Sequence, residues 1–150
     1  MEIYNIKDKM NYLKEIITLE HDMWAKDKNN NKEERINKKI SKVESMLNLN
    51  NFCKLILLQN DILIGFISLF PTDGNEEQEL TPWYATMYVK SEYRGLGYSK
   101  ILNNAILKEA KKRGYKKVYL KTDLNNYYEK FGAKYIKKLN NGEKLYYIEL

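Results

Sequence analysis

An apolar run at Trp83–Val89 leads into Tyr93-Arg94-Gly95-Leu96-Gly97-Tyr98-Ser99-Lys100, and an amphipathic segment follows in which Tyr98, Ile101, Leu102, Ala105 and Ile106 share one helical face. Lys111, Lys112 and Arg113 complement the dipole at the end of that helix, Gly114 stops it, and a further strand reads from Tyr115 to Lys121. Strand, glycine turn, helix, strand is a βαβ unit, and its two strands lie parallel, since a helix-length crossover joins them. The turn has chemistry of its own. The first N–H groups of a helix have no partner and point outward, at the positive end of the dipole. Gly95 and Gly97 let the chain bend and let a ligand come close without a Cβ in the way. Together these features suit a phosphate or pyrophosphate. Taken alone, the same residues also read as an ordinary strand-to-helix turn.

Around this unit the pattern predicts a strand at Glu2–Ile6 and a helix from Lys7 to Ala25 with Leu13, Ile16, Ile17 and Trp24 at helical spacing. A second helix is predicted from Lys32 to Leu47 with Ile36, Ile40, Val43 and Leu47 on one face, after a polar break at Asp27–Asn31. Cys53–Leu58 and Ile62–Phe70 form a hairpin turned by Gln59-Asn60-Asp61. Pro71–Glu79 is an acidic loop. A short helix at Leu124–Phe131 closes at Gly132, and the last strands, Ala133–Lys137 and Lys144–Leu150, turn at Asn140-Asn141-Gly142. The order β-α-α-β-β-β-α-β-α-β-β describes an α+β sandwich: one central, mixed, mostly antiparallel sheet flanked by about four helices. No repeat or linker divides residues 1–150, so one domain is expected.

With 43% hydrophobic residues this is a folding sequence, and no apolar run approaches the ~20 residues needed to span a bilayer. Met1-Glu2-Ile3-Tyr4-Asn5 lacks the basic-then-apolar order of a signal peptide. Cys53 is the only cysteine, which excludes an intrachain disulfide and a cysteine metal site; a cytoplasmic protein is the simplest reading. The net charge of +6 admits a nucleic-acid partner, but lysines lie among glutamates, as in Lys32-Glu33-Glu34-Arg35, which is the pattern of a solvated helix face. Neither a nucleic acid nor a membrane is therefore expected as a partner.

Three segments, in order, resemble the GNAT superfamily of N-acetyltransferases: Met87-Tyr88-Val89 leading into Arg94-Gly95-Leu96-Gly97-Tyr98-Ser99, the helix and strand that follow as far as Leu120, and Tyr127-Tyr128-Glu129-Lys130-Phe131-Gly132. The likeness covers about residues 62–137. Ser99 stands where the family usually has Gly or Ala, and Ala133 where Phe or Trp is common. Leu80-Thr81-Pro82-Trp83 is similar to a subgroup associated with small-amine or aminoglycoside-like substrates. The resemblance implies acetyl-CoA as cosubstrate, a small-molecule amine as acceptor and room for a homodimer. It also implies that the strand through Met87, Tyr88 and Val89 splays from the strand at Tyr115–Lys121, with the pantetheine arm in the gap on the main chain of Met87 and Val89. The backbone of Arg94, Gly95, Leu96, Gly97, Tyr98, Ser99 and Lys100 would hold the pyrophosphate. Asn125 would touch the arm or, with Asn126, cap the short helix.

Moving acetyl from sulfur to nitrogen expels a thiolate, which needs a proton. The position of Tyr128 before Glu129-Lys130-Phe131-Gly132 makes it the candidate general acid, because a phenol with a pKa near ~10 is protonated at neutral pH. With 13 tyrosines in the chain, a packing role competes with that reading. No carboxylate lies inside Trp83–Val89. Glu79 is the candidate base, acting through water, with Glu77, Glu76 and Asp73 in the same loop; Asp73 could also attract a cationic substrate. Trp24 and Trp83 line the acceptor pocket or fill core. His21 reads as structural, Cys53 as buried and inert, and no metal constellation is present. The leading expectation is direct acetyl transfer to a small cationic amine. The alternatives are a non-catalytic acyl-CoA-binding module on the same fold and a basic nucleic-acid-binding domain.

Overall fold

The hairpin at the centre of the chain fixes the architecture. In the computed structural model, which describes all 150 residues, β2 (Cys53–Gln59) and β3 (Ile62–Phe70) pair antiparallel, and Asn60 (φ 51°) and Asp61 (φ 63°) form the two-residue turn between them. Their side chains alternate between two apolar layers. Leu55, Leu57, Ile64 and Ile67 pack with Leu102 and Ile106 of α3 (Tyr98–Lys112), while Ile56, Leu58, Leu63 and Phe66 pack with Leu13, Ile16, Ile17, Ile36 and Val43 of α1 (Leu13–Trp24) and α2 (Lys32–Met46). Apolar residues in both parities are needed because helices cover both faces. Each fully buried Leu or Ile contributes about 1.5–3 kcal/mol.

The remaining strands are β1 (Glu2–Asn5), β4 (Trp83–Val89), β5 (Lys117–Thr122), β6 (Lys134–Lys138) and β7 (Lys144–Glu149). All seven strands form one sheet in the order β1-β2-β3-β4-β5-β7-β6. Every neighbour pair is antiparallel except β4–β5. This is the mixed, mostly antiparallel α+β sheet expected from the sequence, and no helix is long and apolar enough to cross a membrane.

Two expected helices are shorter than the periodicity suggested. The segment from Lys7 is not α-helical until Leu13. Asn5 caps the N–H of Lys7 at 3.0 Å, Lys9 is neither helical nor extended at φ −141° and ψ 46°, and two 3₁₀ turns at Ile6–Asp8 and Met10–Tyr12 precede α1. Leu124–Phe131 shrinks to a 3₁₀ turn at Tyr128–Phe131, because Thr122 Oγ1 accepts from the N–H of Leu124 at 3.0 Å and Asn126 sits at φ 58°. Three α-helices therefore flank the sheet, with that turn in place of a fourth.

The parallel pair opens like a fork. Trp83 and Tyr119 are the only register partners of β4 and β5, backed by a bond from the N–H of Tyr119 to the carbonyl of Pro82 at 3.0 Å. On its other side β4 carries an extra residue: Phe66 faces Tyr88, but Ser68 faces Ala85. Thr86 lies in this bulge at φ 51°. A bulge bends its strand and raises local twist, which turns the end of β4 away from β5.

Candidate active site

Between the fork and the N-terminus of α3 the chain presents unspent donors. Gly95 (φ 78°) and Gly97 (φ 85°) have left-handed backbones, and a Cβ built on either would meet nothing within 4 Å. The N–H groups of residues 95–100 donate to no other backbone group; Ile101 is the first to do so, to Gly97 at 3.4 Å. Arg94 is an exception to the expected set. Its N–H is taken by the carbonyl of Ser91 at 3.3 Å, because a 3₁₀ turn at Ser91–Tyr93 precedes it, so the free arc starts one residue later. Within the arc, Leu96 and Lys100 are exposed, Ser99 is half-buried, and the Tyr98 hydroxyl donates to Gln59 Oε1 at 3.3 Å. Open space and free donors together fit the pyrophosphate of a CoA donor.

The main chain of β4 is used in alternation. The N–H of Lys90 donates to Ile64 of β3 at 2.9 Å, and Phe66 pairs with Tyr88, so Tyr88 also faces β3 while Met87 and Val89 face the gap. Tyr88 therefore offers the gap no main-chain group, and its ring stacks on Phe66 at 5.3 Å. One of the two outward residues is partly spent. Arg94 Nε donates to the carbonyl of Val89 at 2.9 Å, with its guanidinium 5.6 Å from the ring of Tyr88. Met87 and the N–H of Val89 remain.

Beyond the fork lies a cavity of about 560 Å³, bounded by Tyr84–Met87 of β4, Leu120–Thr122 of β5, Asp123, Leu124, Tyr128, Glu143, Phe70, Asp73 and, from the end of α1, Trp24. Tyr128 is half-buried there, edge-on to Tyr127 at 4.8 Å and to Tyr84 at 5.9 Å, and its hydroxyl makes no hydrogen bond within the chain. Burial, with a smaller contribution from Tyr127, pushes its pKa above the ordinary phenol value. Tyr84 is a different kind of phenol: it is buried, burial raises its pKa further, and its hydroxyl donates to Asn103 Oδ1 at 2.8 Å. Ala133, where the family usually has an aromatic residue, is buried, and its N–H bonds to the carbonyl of Tyr128 at 3.1 Å, closing the turn that presents Tyr128.

Of the acidic loop, only Asp73 reaches the cavity. Burial raises its carboxyl pKa, opposed by Lys121, whose Nζ stands 3.7 Å from Oδ1 and donates to the Asp73 carbonyl at 2.8 Å. Glu76 accepts from the N–H of Asn140 at 3.0 Å, and Glu77 is ion-paired with Lys137. These bonds tie the loop to the β6–β7 hairpin, and Glu79 is left exposed and off the cavity. Trp83 does not line this cavity. It is fully buried against Leu139 and Leu145, and its Nε1 donates to the Leu80 carbonyl at 2.8 Å. Trp24, 46% exposed and 6.3 Å edge-on from Tyr88, does line it. Asn125 neither caps a helix nor lines the cavity, because its Oδ1 accepts from Lys144. His21 is buried, with Nε2 2.9 Å from the Lys28 carbonyl, which anchors the segment after α1. Cys53 is buried, and burial pushes its thiol up to about 11. Native protein should therefore label negligibly with iodoacetamide at pH 8, whereas rapid stoichiometric labelling would contradict its burial.

Sequence reasoning missed Tyr84, Thr86, Asp123 and Glu143. The last two meet at the cavity only because β7 pairs with β5, setting Thr122 opposite Lys144. Thr86 carried a weak signal as a polar residue within an apolar strand.

The Acetyltransferase (GNAT) family model matches residues 13–133. Among solved structures, an aminoglycoside 6′-N-acetyltransferase complexed with coenzyme A is 21% identical, with 99% of this chain and 97% of that chain covered and a TM-score of 0.73. The aminoglycoside 6′-N-acetyltransferase from Enterococcus faecium is 20% identical, with the same coverage and a TM-score of 0.71. The PaiA N-acetyltransferase of Thermoplasma acidophilum, in complex with coenzyme A, is 23% identical over the whole of both chains at a TM-score of 0.66. At these identities the likeness is one of fold. No curated protein sequence matches the chain. With a family model covering most of its length and a forked sheet beside an open helix N-terminus, the chain belongs to the GNAT family of acetyltransferases, which use acetyl-CoA as cosubstrate.

Proposed function

We propose that this protein moves the acetyl group of acetyl-CoA directly onto the amine of a small cationic molecule. The reading rests on one juxtaposition: the free N–H arc at residues 95–100 follows from the end of β4, to which Arg94 is bonded, and Tyr128, with its unpaired hydroxyl, lines the cavity between β4 and β5. Acetyl-CoA supplies the activated thioester. The arc takes its pyrophosphate through several charge-assisted bonds of about 1.5–3 kcal/mol each, and Met87 and the N–H of Val89 serve its amides. Tyr128 Oη holds the proton that the departing sulfur takes.

The cavity supports a cationic acceptor. It brings Asp73, Asp123 and Glu143 together against a single lysine, Lys121. Asp73, with its raised pKa, is better suited than Glu79 to accept a proton from the amine, directly or through water. Trp24 offers an aromatic face at the entrance, and cation–π contacts are worth about 0.5–2 kcal/mol. The aminoglycoside acetyltransferases among its structural neighbours favour a small-molecule amine.

Thiol release from acetyl-CoA against polyamines, aminoglycosides, amino acids and peptide N-termini tests the reading. Turnover with the first two groups is expected. Release with no amine at all would overturn transfer, and exclusive use of anionic or zwitterionic acceptors would overturn the charge assignment. Trp24→Ala should raise KM for the amine about tenfold, a loss of ~1.4 kcal/mol, while leaving KM for acetyl-CoA unchanged. An unchanged amine KM would remove Trp24 from the acceptor site.

A further inference from the structure

Two polar side chains sit inside the apolar hairpin, and acetyl transfer as described leaves them without a task. Lys54 on β2 and Ser68 on β3 are both 0% exposed. Lys54 Nζ donates to Glu20 of α1 and to Ser68 Oγ, the latter at 2.6 Å, and lies 5.4 Å from the rings of both Phe66 and Phe70. Ser68 Oγ also accepts from Thr86 Oγ1 at 2.9 Å. A continuous chain, Glu20–Lys54–Ser68–Thr86, thus runs from α1 through two central strands to the bulge of β4. A buried ion pair is weak evidence for stability, since hydrocarbon of the same shape commonly serves as well. This one ends on a β-branched residue held at φ 51°, a conformation such residues rarely adopt and one that collects at functional sites. Thr86 also borders two cavities, the one in the fork and a second of about 300 Å³ between α1 and α2 that Glu20 and Phe70 line as well.

We infer that Thr86 Oγ1 orients the attacking amine, and that Lys54 and Ser68 are positioning residues that fix the direction of its hydroxyl; this rests on the acetyl-transfer reading. The Lys54 ammonium can only donate, so Ser68 Oγ accepts from it, and the Thr86 hydroxyl donates to the same oxygen. With its proton committed toward the strands, Thr86 Oγ1 presents only lone pairs to the cavity. An acceptor-only group binds an amine through N–H and leaves the nitrogen lone pair free for the thioester carbon. A freely rotating hydroxyl would instead donate to that lone pair and mask the nucleophile. Ser68, held in place by the buried ammonium, keeps the hydroxyl out of this second orientation.

The test is a mutant cycle read by thiol release, with acetyl-CoA as donor and spermidine and kanamycin as probe amines. Thr86→Val keeps the branched shape and loses the hydroxyl; it should lower kcat about 10- to 100-fold with KM for acetyl-CoA within twofold, and Thr86→Ser should restore most turnover. Ser68→Ala should lower kcat several-fold in the native background and have no further effect on Thr86→Val, because both act through one hydroxyl. A merely structural role would instead cost the same factor, and the same drop in Tm, in both backgrounds. If Ser68→Ala does not fold, Lys54→Met combined with Glu20→Gln breaks the same link without leaving a buried charge, with the same non-additivity expected. Undiminished kcat in Thr86→Val, or equal losses in both backgrounds, would overturn the inference while leaving acetyl transfer intact. A wild-type protein inactive with both amines would overturn the transfer reading with it.

Discussion

Tyr128→Phe lowers kcat about 100-fold while KM for acetyl-CoA stays within about twofold, the signature of a group that matters when the thiolate leaves rather than when the donor binds. The substitution removes one oxygen and keeps the ring, so the edge-on packing against Tyr84 and Tyr127 survives and Tm should hardly move. The hydroxyl bonds to nothing in the chain, so no buried partner is orphaned. The pH dependence follows from the direction of the shift. Burial disfavours the phenolate and raises the pKa of Tyr128, so the proton-donating form persists above the ordinary tyrosine range. The alkaline limb of kcat should therefore be absent below about pH 10. Unchanged turnover in Tyr128→Phe, or a kcat that falls between pH 8 and 9, would remove Tyr128 from the mechanism.

Gly97→Val raises Kd for acetyl-CoA about 100-fold and leaves the fold largely intact. Gly97 is the residue before α3, at φ 85°, with open space where a Cβ would stand. The Cβ of a valine there meets nothing within 4 Å, but the residue resists the left-handed backbone at a cost of roughly 1–2 kcal/mol and rotates the adjacent N–H groups out of the arc. Losing one or two charge-assisted bonds, at about 1.5–3 kcal/mol each, accounts for the affinity change. The variant should also lose most of the Tm increase that CoA confers on the native protein. An unaltered Kd would show that the turn is only a connection between strand and helix. Lys111→Ala at the far end of the same helix serves as a control and should leave Kd within about twofold, since the dipole effect is confined to the terminal turns.

What could be read from the sequence follows the range of the forces involved. Hairpin, central strand and glycine turn were all legible, because alternation, helical spacing and Asn60-Asp61 are local signals. Two helix starts were not: Asn5 and Thr122 each divert a backbone N–H with a side chain, and a periodic apolar pattern does not register that. The two tryptophans show the limit most plainly. Both are aromatic residues near the fork, yet Trp83 faces Leu139 and Leu145, from the far hairpin, and Trp24 projects from the last turn of α1 over the cavity. Nothing local separates them. The acidic loop is a similar case. Four carboxylates lie close together in sequence, and Lys137 and Asn140, more than 50 residues away, decide which way the loop turns and leave Asp73 alone at the cavity. Tyr84 and Thr86 escaped notice because their importance depends on a bulge, which appears only once β3 and β4 are in register.

Everything turns on where the donor's pyrophosphate rests. Titration of ¹⁵N-labelled protein with coenzyme A, followed amide by amide, reads this directly. The largest shifts should fall on the N–H groups of residues 95–100, with smaller ones at Met87 and Val89, and saturate together. Shifts centred on another part of the surface, or none at millimolar coenzyme A, would contradict the account.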